Sequence, residues 1–271
     1  MKQLSLKDIQ KVSLEILKDV HDFCISNNIN YSLAYGSMLG AVRHKGFIPW
    51  DDDIDIVMPR PDYERFKRLF KSNNNILVTE EESYIAFSRV CDVNLTFASK
   101  SPWPWVLHQE SRGVWIDIFP LDAIEDDKQT FSKRMTNLDL LFKKQLRARN
   151  SRVHPSSDFG FIINVKQAIK NILYAGLDIN KINSEIKSEA RRLEWDSCSK
   201  CSMIVCEGNQ DKEFFDKSLF QHTVLMPFEN YEFCVATGWN EILRANYGDY
   251  MKLPPVEDRM QHSSHTKFYW K

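Results

Sequence analysis

The stretch DDDIDIVMP, residues 51–59, constrains this chain more than any other. Its last two aspartates alternate with isoleucine. On a β-strand alternate side chains share a face. A strand over Asp53 to Val57 therefore turns Asp53 and Asp55 one way and sends Ile54 and Ile56 into a core. Two carboxylates on one face repel unless a cation lies between them or one holds a proton. Such hard oxygen donors suit Mg²⁺ or Mn²⁺, ions that neutralise the charge developing in phosphoryl transfer. Asp51 and Asp52 precede the alternation and read as flanking residues, Asp51 as a cap or orienter of the loop.

The upstream sequence adds a second feature. A short strand, Tyr31 to Tyr35, runs into Gly36-Ser37, which opens the helical segment SMLGAV. Glycine there lets backbone N–H groups approach a phosphate, and a helix N-terminus favours negative charge. The Ser37 hydroxyl can donate to a phosphate oxygen. Arg43, His44 and Lys45 follow in a loop over residues 43–50, and Arg43 and Lys45 are candidates to hold phosphate charge. A third carboxylate is expected from a neighbouring strand. WIDIFPLD supplies Asp117 between Ile116 and Ile118, with Asp122 the alternative, in a loop after Pro120. A lone Gly-Ser pair is usually a plain turn, and a lone D-x-D a solvated surface. Their coherence carries the metal reading.

The rest of the chain reads as mixed helix and strand, an α+β fold. Ser5 and Asp8 form a capping box before a helix with Ile9, Val12, Ile16, Val20 and Phe23 on one face. Pro61 opens a charged helix. Tyr84–Val90 and Trp115–Phe119 read as strands, Lys128–Arg149 as a helix, and residues 161–195 as helical with a break near Gly176 and Asp178. Val224–Met226 and Tyr231–Val235 read as paired strands before a helix at Trp239–Tyr247. A polar connector near residue 150 divides a catalytic core, 1–150, from a helical and α+β portion, 151–271, that packs on it as the acceptor side. Lys and Arg total 36 against 37 Asp and Glu, which argues against bulk nucleic-acid binding and leaves room only for a local basic patch. No signal peptide or spanning segment is visible, so the expected location is the cytoplasm, with reduced cysteines. Cys198, Cys201 and Cys206 read as free thiols over a zinc site.

Three blocks carry a resemblance: AYGSMLGAVRHKGFIPWDDDIDIVMPRPDYERF, GVWIDIFPLDAI and ILRANYGDYMKLPP. They resemble the LicD family, related to fukutin-type transferases, on a nucleotidyltransferase-like mixed sheet with flanking helices. The resemblance implies metal-dependent transfer of a phospho-alcohol. Phosphocholine from CDP-choline, or from another CDP-alcohol, would pass to a cell-surface glycan such as teichoic acid or lipopolysaccharide. It implies Asp53 and Asp55 as paired metal ligands, Asp117 as the third carboxylate, and Gly36-Ser37 as the phosphate-contacting turn.

In that mechanism cytidine monophosphate leaves as an acceptor hydroxyl attacks phosphorus, and Asp117 is a candidate to take the proton. A quaternary ammonium invites an aromatic cage. Trp103 and Trp105 are the loop candidates, with Trp115, Tyr269 and Trp270 available by type, although core packing is the commoner fate of each. The basic stretch Lys143 to Arg152 is most simply a solvated face. Its minor reading is contact with anionic lipid at the inner face of the membrane or with a polyprenyl-linked glycan acceptor. Two rivals share the residues: a nucleotidyltransferase attaching the nucleotide itself, and a non-catalytic binding module.

Overall fold

The structure is a computed structural model describing residues 2–80, 82, 85–98, 112–151, 153, 160–205, 212–259 and 266–271. Ser5 accepts the Asp8 amide at 3.2 Å, and the Asp8 carboxylate accepts the Ser5 amide at 2.9 Å. This reciprocal cap starts α1 (Leu6–Ser26), which buries Val12, Ile16, Leu17 and Val20. Then come β1 (Ser32–Leu33), α2 (Tyr35–His44), β2 (Asp55–Pro59), α3 (Arg60–Leu69), β3 (Asn75–Val78), β4 (Ser88–Asp92), β5 (Thr96–Ala98) and β6 (Trp115–Ile124). The second half holds α4 (Lys128–Asn150), α5 (Phe161–Leu173), α6 (Ile179–Ala190), β7 (Lys200–Ser202), β8 (Phe215–Asp216), β9 (Thr223–Phe228), β10 (Tyr231–Ala236), α7 (Trp239–Tyr247) and β11 (Phe268–Trp270). The fold is α+β, as read from the sequence.

The main sheet has the order β1-β2-β6-β4-β3, with β7 added to β6 and β8 to β7. Strand β6 organises it. Its first half lies between β2, which runs parallel, and β4, which runs antiparallel. Its last three residues pair instead with β7, so residues 151–271 extend the sheet that residues 1–150 begin. Pairs β9–β10 and β5–β11 form two smaller antiparallel sheets.

Register sorts the two faces of the main sheet, because directly paired residues project to the same side. Ser88 pairs with Ile118, and its hydroxyl meets the Tyr63 hydroxyl at 2.7 Å. Helix α3 therefore covers the Ile116–Ile118 face, and α1 joins it through Phe23, whose ring contacts Phe66 and Phe70 edge-on. Asp55, Asp117 and Arg89 are paired with one another and project from the opposite face. A second apolar cluster gathers Phe131, Leu138, Phe142, Ile182 and Ile186 of α4 and α6 around Ile124 at the end of β6.

The structure moves several expected boundaries. The strand expected at Asp53 begins at Asp55 and runs to Pro59, so Asp53 lies on the approach to the strand and not in its pleat. The strand expected over Tyr31–Tyr35 is only Ser32–Leu33, because Tyr35 already opens α2. That helix continues through Arg43 and His44, residues expected in a loop. Asp122 is not in a loop. Strand β6 passes through Pro120 and carries Asp122 on its buried second half, where Arg60 holds both carboxylate oxygens at 2.6 and 2.8 Å. Proline fits because its fixed φ is compatible with extended backbone.

Candidate active site

The site grows from the junction of β1, α2 and β2. Ala34 is extended, whereas Tyr35 has φ of +43°, a conformation that disfavours L side chains. The chain thus turns sharply into α2. The Ser37 hydroxyl accepts the Asp55 amide at 2.9 Å, fastening the first turn of α2 to the first residue of β2. A Cβ on Gly36 would lie 2.7 Å from Asp51 Oδ2. Only glycine lets this carboxylate settle against the helix N-terminus, where the macrodipole favours negative charge. The buried Gln10 amide of α1 donates to the Asp51 carbonyl at 2.7 Å and fixes the approach to β2.

Carboxylates converge here. Asp51, Asp52 and Asp53 each offer an oxygen within 4.8 Å of the others. Asp51 and Asp52, read from the sequence as flanking residues with Asp51 a cap or orienter of the loop, are both buried. Asp55 stands directly beside Asp117 across the parallel β2–β6 pair. Burial pushes the Asp55 carboxyl well above the usual range, and Asp53, Asp117 and Asp51 push it further, with Arg89 opposing. Burial likewise raises Asp51, aided by Asp52 and opposed by a hydrogen bond with Asp53. Crowded buried carboxylates bind either protons or a cation. A hard divalent ion fits an all-oxygen donor set of this kind.

Sequence reading missed two participants. Arg89 of β4 is paired across the sheet with Asp117. Its Nε donates to one carboxylate oxygen at 2.5 Å and an Nη to the other at 3.3 Å. Its guanidinium lies 4.5 Å over the Trp115 ring. The second is Tyr247, at the end of α7. Tyr247 is 42% exposed as a residue, but desolvation at its hydroxyl end raises the phenol, followed by the charges of Asp55, Asp51, Asp53 and Glu213, which sets the last sequence block beside the first.

The expected phosphate-holding residues are placed differently from one another. Gly36 and Ser37 lie at the acidic cluster. The Arg43 guanidinium is spent on other partners, donating to the carbonyls of Tyr250 at 2.7 Å and Lys252 at 3.4 Å and to His44 Nε2 at 2.9 Å. Lys45 is exposed and ends α2 in the left-handed conformation, its carbonyl accepting the Glu229 amide. The helix end is tight, since a Cβ on Gly40 would fall 2.4 Å from the Gly46 carbonyl oxygen. Trp103, Trp105, His108, His154, Cys206, His262 and His265 lie outside the described residues. Among the other aromatics, Trp115 already carries Arg89 on its ring, and Tyr269 stacks on Phe97 with centroids 5.5 Å apart. Cys201 is buried in β7, and among the described residues the three aspartates 51–53 are the group with metal-ligand spacing.

Residues 28–163 match the family described as LicD/FKTN/FKRP, nucleotidyltransferase domain. The chain is also 31% identical over 281 residues to the lipopolysaccharide cholinephosphotransferase LicD of Haemophilus influenzae, with 97% of each chain covered. The chain belongs to the LicD family. Shorter similarities reach uncharacterised proteins of Rickettsia typhi, 30% identical over 41% of this chain and 37% of that one, and Rickettsia prowazekii, 34% identical over 28% and 30%. The LicD-family match includes α2, β2 and β6, and with them the Gly36-Ser37 turn, the aspartates 51–55 and Asp117. Tyr247 and Glu213 lie beyond it and are reached only by the full-length similarity.

Proposed function

We propose that this protein transfers phosphocholine, or a similar phospho-alcohol, from a CDP-activated donor to a cell-surface glycan, lipopolysaccharide first and teichoic acid as the alternative. The observation that carries the reading is the end-to-end similarity to a lipopolysaccharide cholinephosphotransferase. The carboxylate cluster at the α2 N-terminus supports it chemically.

Asp53 and Asp55 would hold Mg²⁺ or Mn²⁺, with Asp51 and Asp117 adjoining. When bound, the ion neutralises phosphate charge as the reaction proceeds. The turn at Gly36-Ser37 borders the donor phosphates, sharing the α2 N-terminus with the Asp51 carboxylate. The acceptor hydroxyl attacks the phosphorus of the transferred group, a new P–O bond forms, and the bond to cytidine monophosphate breaks. The hydroxyl proton passes to a carboxylate of the cluster. Arg89 orients Asp117 through two hydrogen bonds and keeps it beside Asp55. Residues 151–271 contribute the acceptor side.

Release of cytidine monophosphate tests the reaction. Purified protein, Mg²⁺, a panel of CDP-alcohols and lipopolysaccharide should release it in a metal- and acceptor-dependent way, most strongly with CDP-choline. Pyrophosphate from CTP, without cytidine monophosphate, would assign nucleotidyl transfer instead. Asp53→Asn and Asp55→Asn should each lower turnover by roughly a thousandfold or more, a loss on the scale of removing transition-state charge stabilisation, with circular dichroism unchanged. Full turnover in either variant overturns the assignment.

A further inference from the structure

Helix α5 is built inside out. Of its 13 residues only Gln167 is buried. Its polar residues face the protein: Gln167 Nε2 donates to the Asn150 carbonyl and to Asn171 Oδ1, and Asn171 Nδ2 donates to the Val153 carbonyl at 3.0 Å. Its apolar residues face outward. Phe161 is 82% exposed, Ile172 78% and Leu173 69%, with Ile162, Val165 and Ile169 also exposed. At about 100° per residue these six occupy an arc of roughly 120°, opposite Gln167 and Asn171. Lys166 and Lys170 line one edge of the arc, so their stems extend the apolar surface while their ammonium groups reach past it.

The charge around this face is mainly positive. Residues 140–177 contain seven Lys or Arg and a single acid, Asp158. Lys144 and Arg147 of α4 are exposed, and the Arg147 guanidinium lies 6.0 Å over the ring of Tyr174, which caps α5. Leu140 and Leu146 of α4 are exposed as well. Two copies meeting through this face would bring two cationic rims together. An anionic lipid surface satisfies both components, apolar burial into the headgroup boundary and attraction of the basic rim. At 1.5 Å per residue α5 is about 20 Å long, shorter than a hydrocarbon core of about 30 Å. No described helix is long and apolar enough to cross a membrane.

We propose that α5, with the basic end of α4, docks the protein on an anionic bilayer surface, α5 lying in the interface plane. This stands independently of the transfer reading, and its test needs no turnover. The full chain is sedimented with phosphatidylcholine vesicles and with vesicles containing phosphatidylglycerol, and its oligomeric state is measured by light scattering. Binding to the anionic vesicles, weakening as salt rises, is expected. The double variant I169D/I172D should lose at least roughly tenfold in partition, and K166E/K170E a comparable factor. These side chains are exposed, so thermal unfolding of both variants should match the parent. Failure to bind anionic vesicles, or binding that survives both variants, overturns the proposal. So does a dimer that the I169D/I172D change dissolves, since the face would then belong to a second copy.

Discussion

Burial holds the Glu213 carboxyl up at about 7, against a reference of 4.5, while the Tyr35 hydroxyl and the Met203 amide pull the other way. Tyr35 is the residue whose left-handed φ starts α2, so Glu213 backs the turn on which the acidic cluster is built. The raised value links stability to pH. Between about 4.5 and 7 the folded chain holds a proton that the unfolded chain has released, so stability falls as pH rises through this window and is fully present only below it. The charge buried at pH 8 costs up to about 3 kcal/mol. Glu213→Gln should match the parent in urea unfolding at pH 4.5 and exceed it at pH 8 by up to about that amount. Equal differences at both pH values would mean that Glu213 does not titrate in this window.

At the scale of elements, β6 carries two duties. Its first half supplies Asp117 to the candidate site, and its second half buries Asp122 under the Arg60 guanidinium. Arg60→Met would leave the Asp122 carboxylate, 1% exposed, without that partner. Removing one member of a buried ion pair typically costs about 3–5 kcal/mol. Urea unfolding should report a loss of that order, and a change under about 1 kcal/mol would refute the pair's structural weight. Local pattern made the Asp-Ile alternation of β2 and β6 legible, together with the capping box of α1 and the helix at Trp239–Tyr247. It left Asp122 misplaced, because a proline after five strand residues reads as a stop, whereas pairing with Met58 and Pro59 keeps the strand running. Arg89 was invisible for a related reason. Its relation to Asp117 is a cross-strand register, set by tertiary pairing and by no spacing in SRVCD. Asp51 and Asp52 read as flanks because period-two alternation says nothing about residues that reach the same point by a turn.

For the whole molecule, the three sequence blocks that resemble the family converge on one place. The first meets the second where Asp55 lies beside Asp117. It meets the third where Arg43 holds the carbonyls of Tyr250 and Lys252, more than two hundred residues away, and just past that block Arg259 lies 5.0 Å over the Trp50 ring. The last turn of α2 therefore clamps the segment that follows α7, the helix bearing Tyr247. A guanidinium can serve both carbonyls and His44 at once because its donors form a rigid fork, which a lysine lacks. Arg43→Lys keeps the charge and removes the fork. It should speed amide exchange in residues 248–259, where one charge-assisted hydrogen bond of about 1.5–3 kcal/mol corresponds to roughly a tenfold or greater rise in exchange rate. Exchange elsewhere in the main sheet should stay unchanged. Unchanged exchange at 248–259, combined with a raised donor KM, would instead return Arg43 to the phosphate-holding role that its position after the Gly36-Ser37 turn suggests.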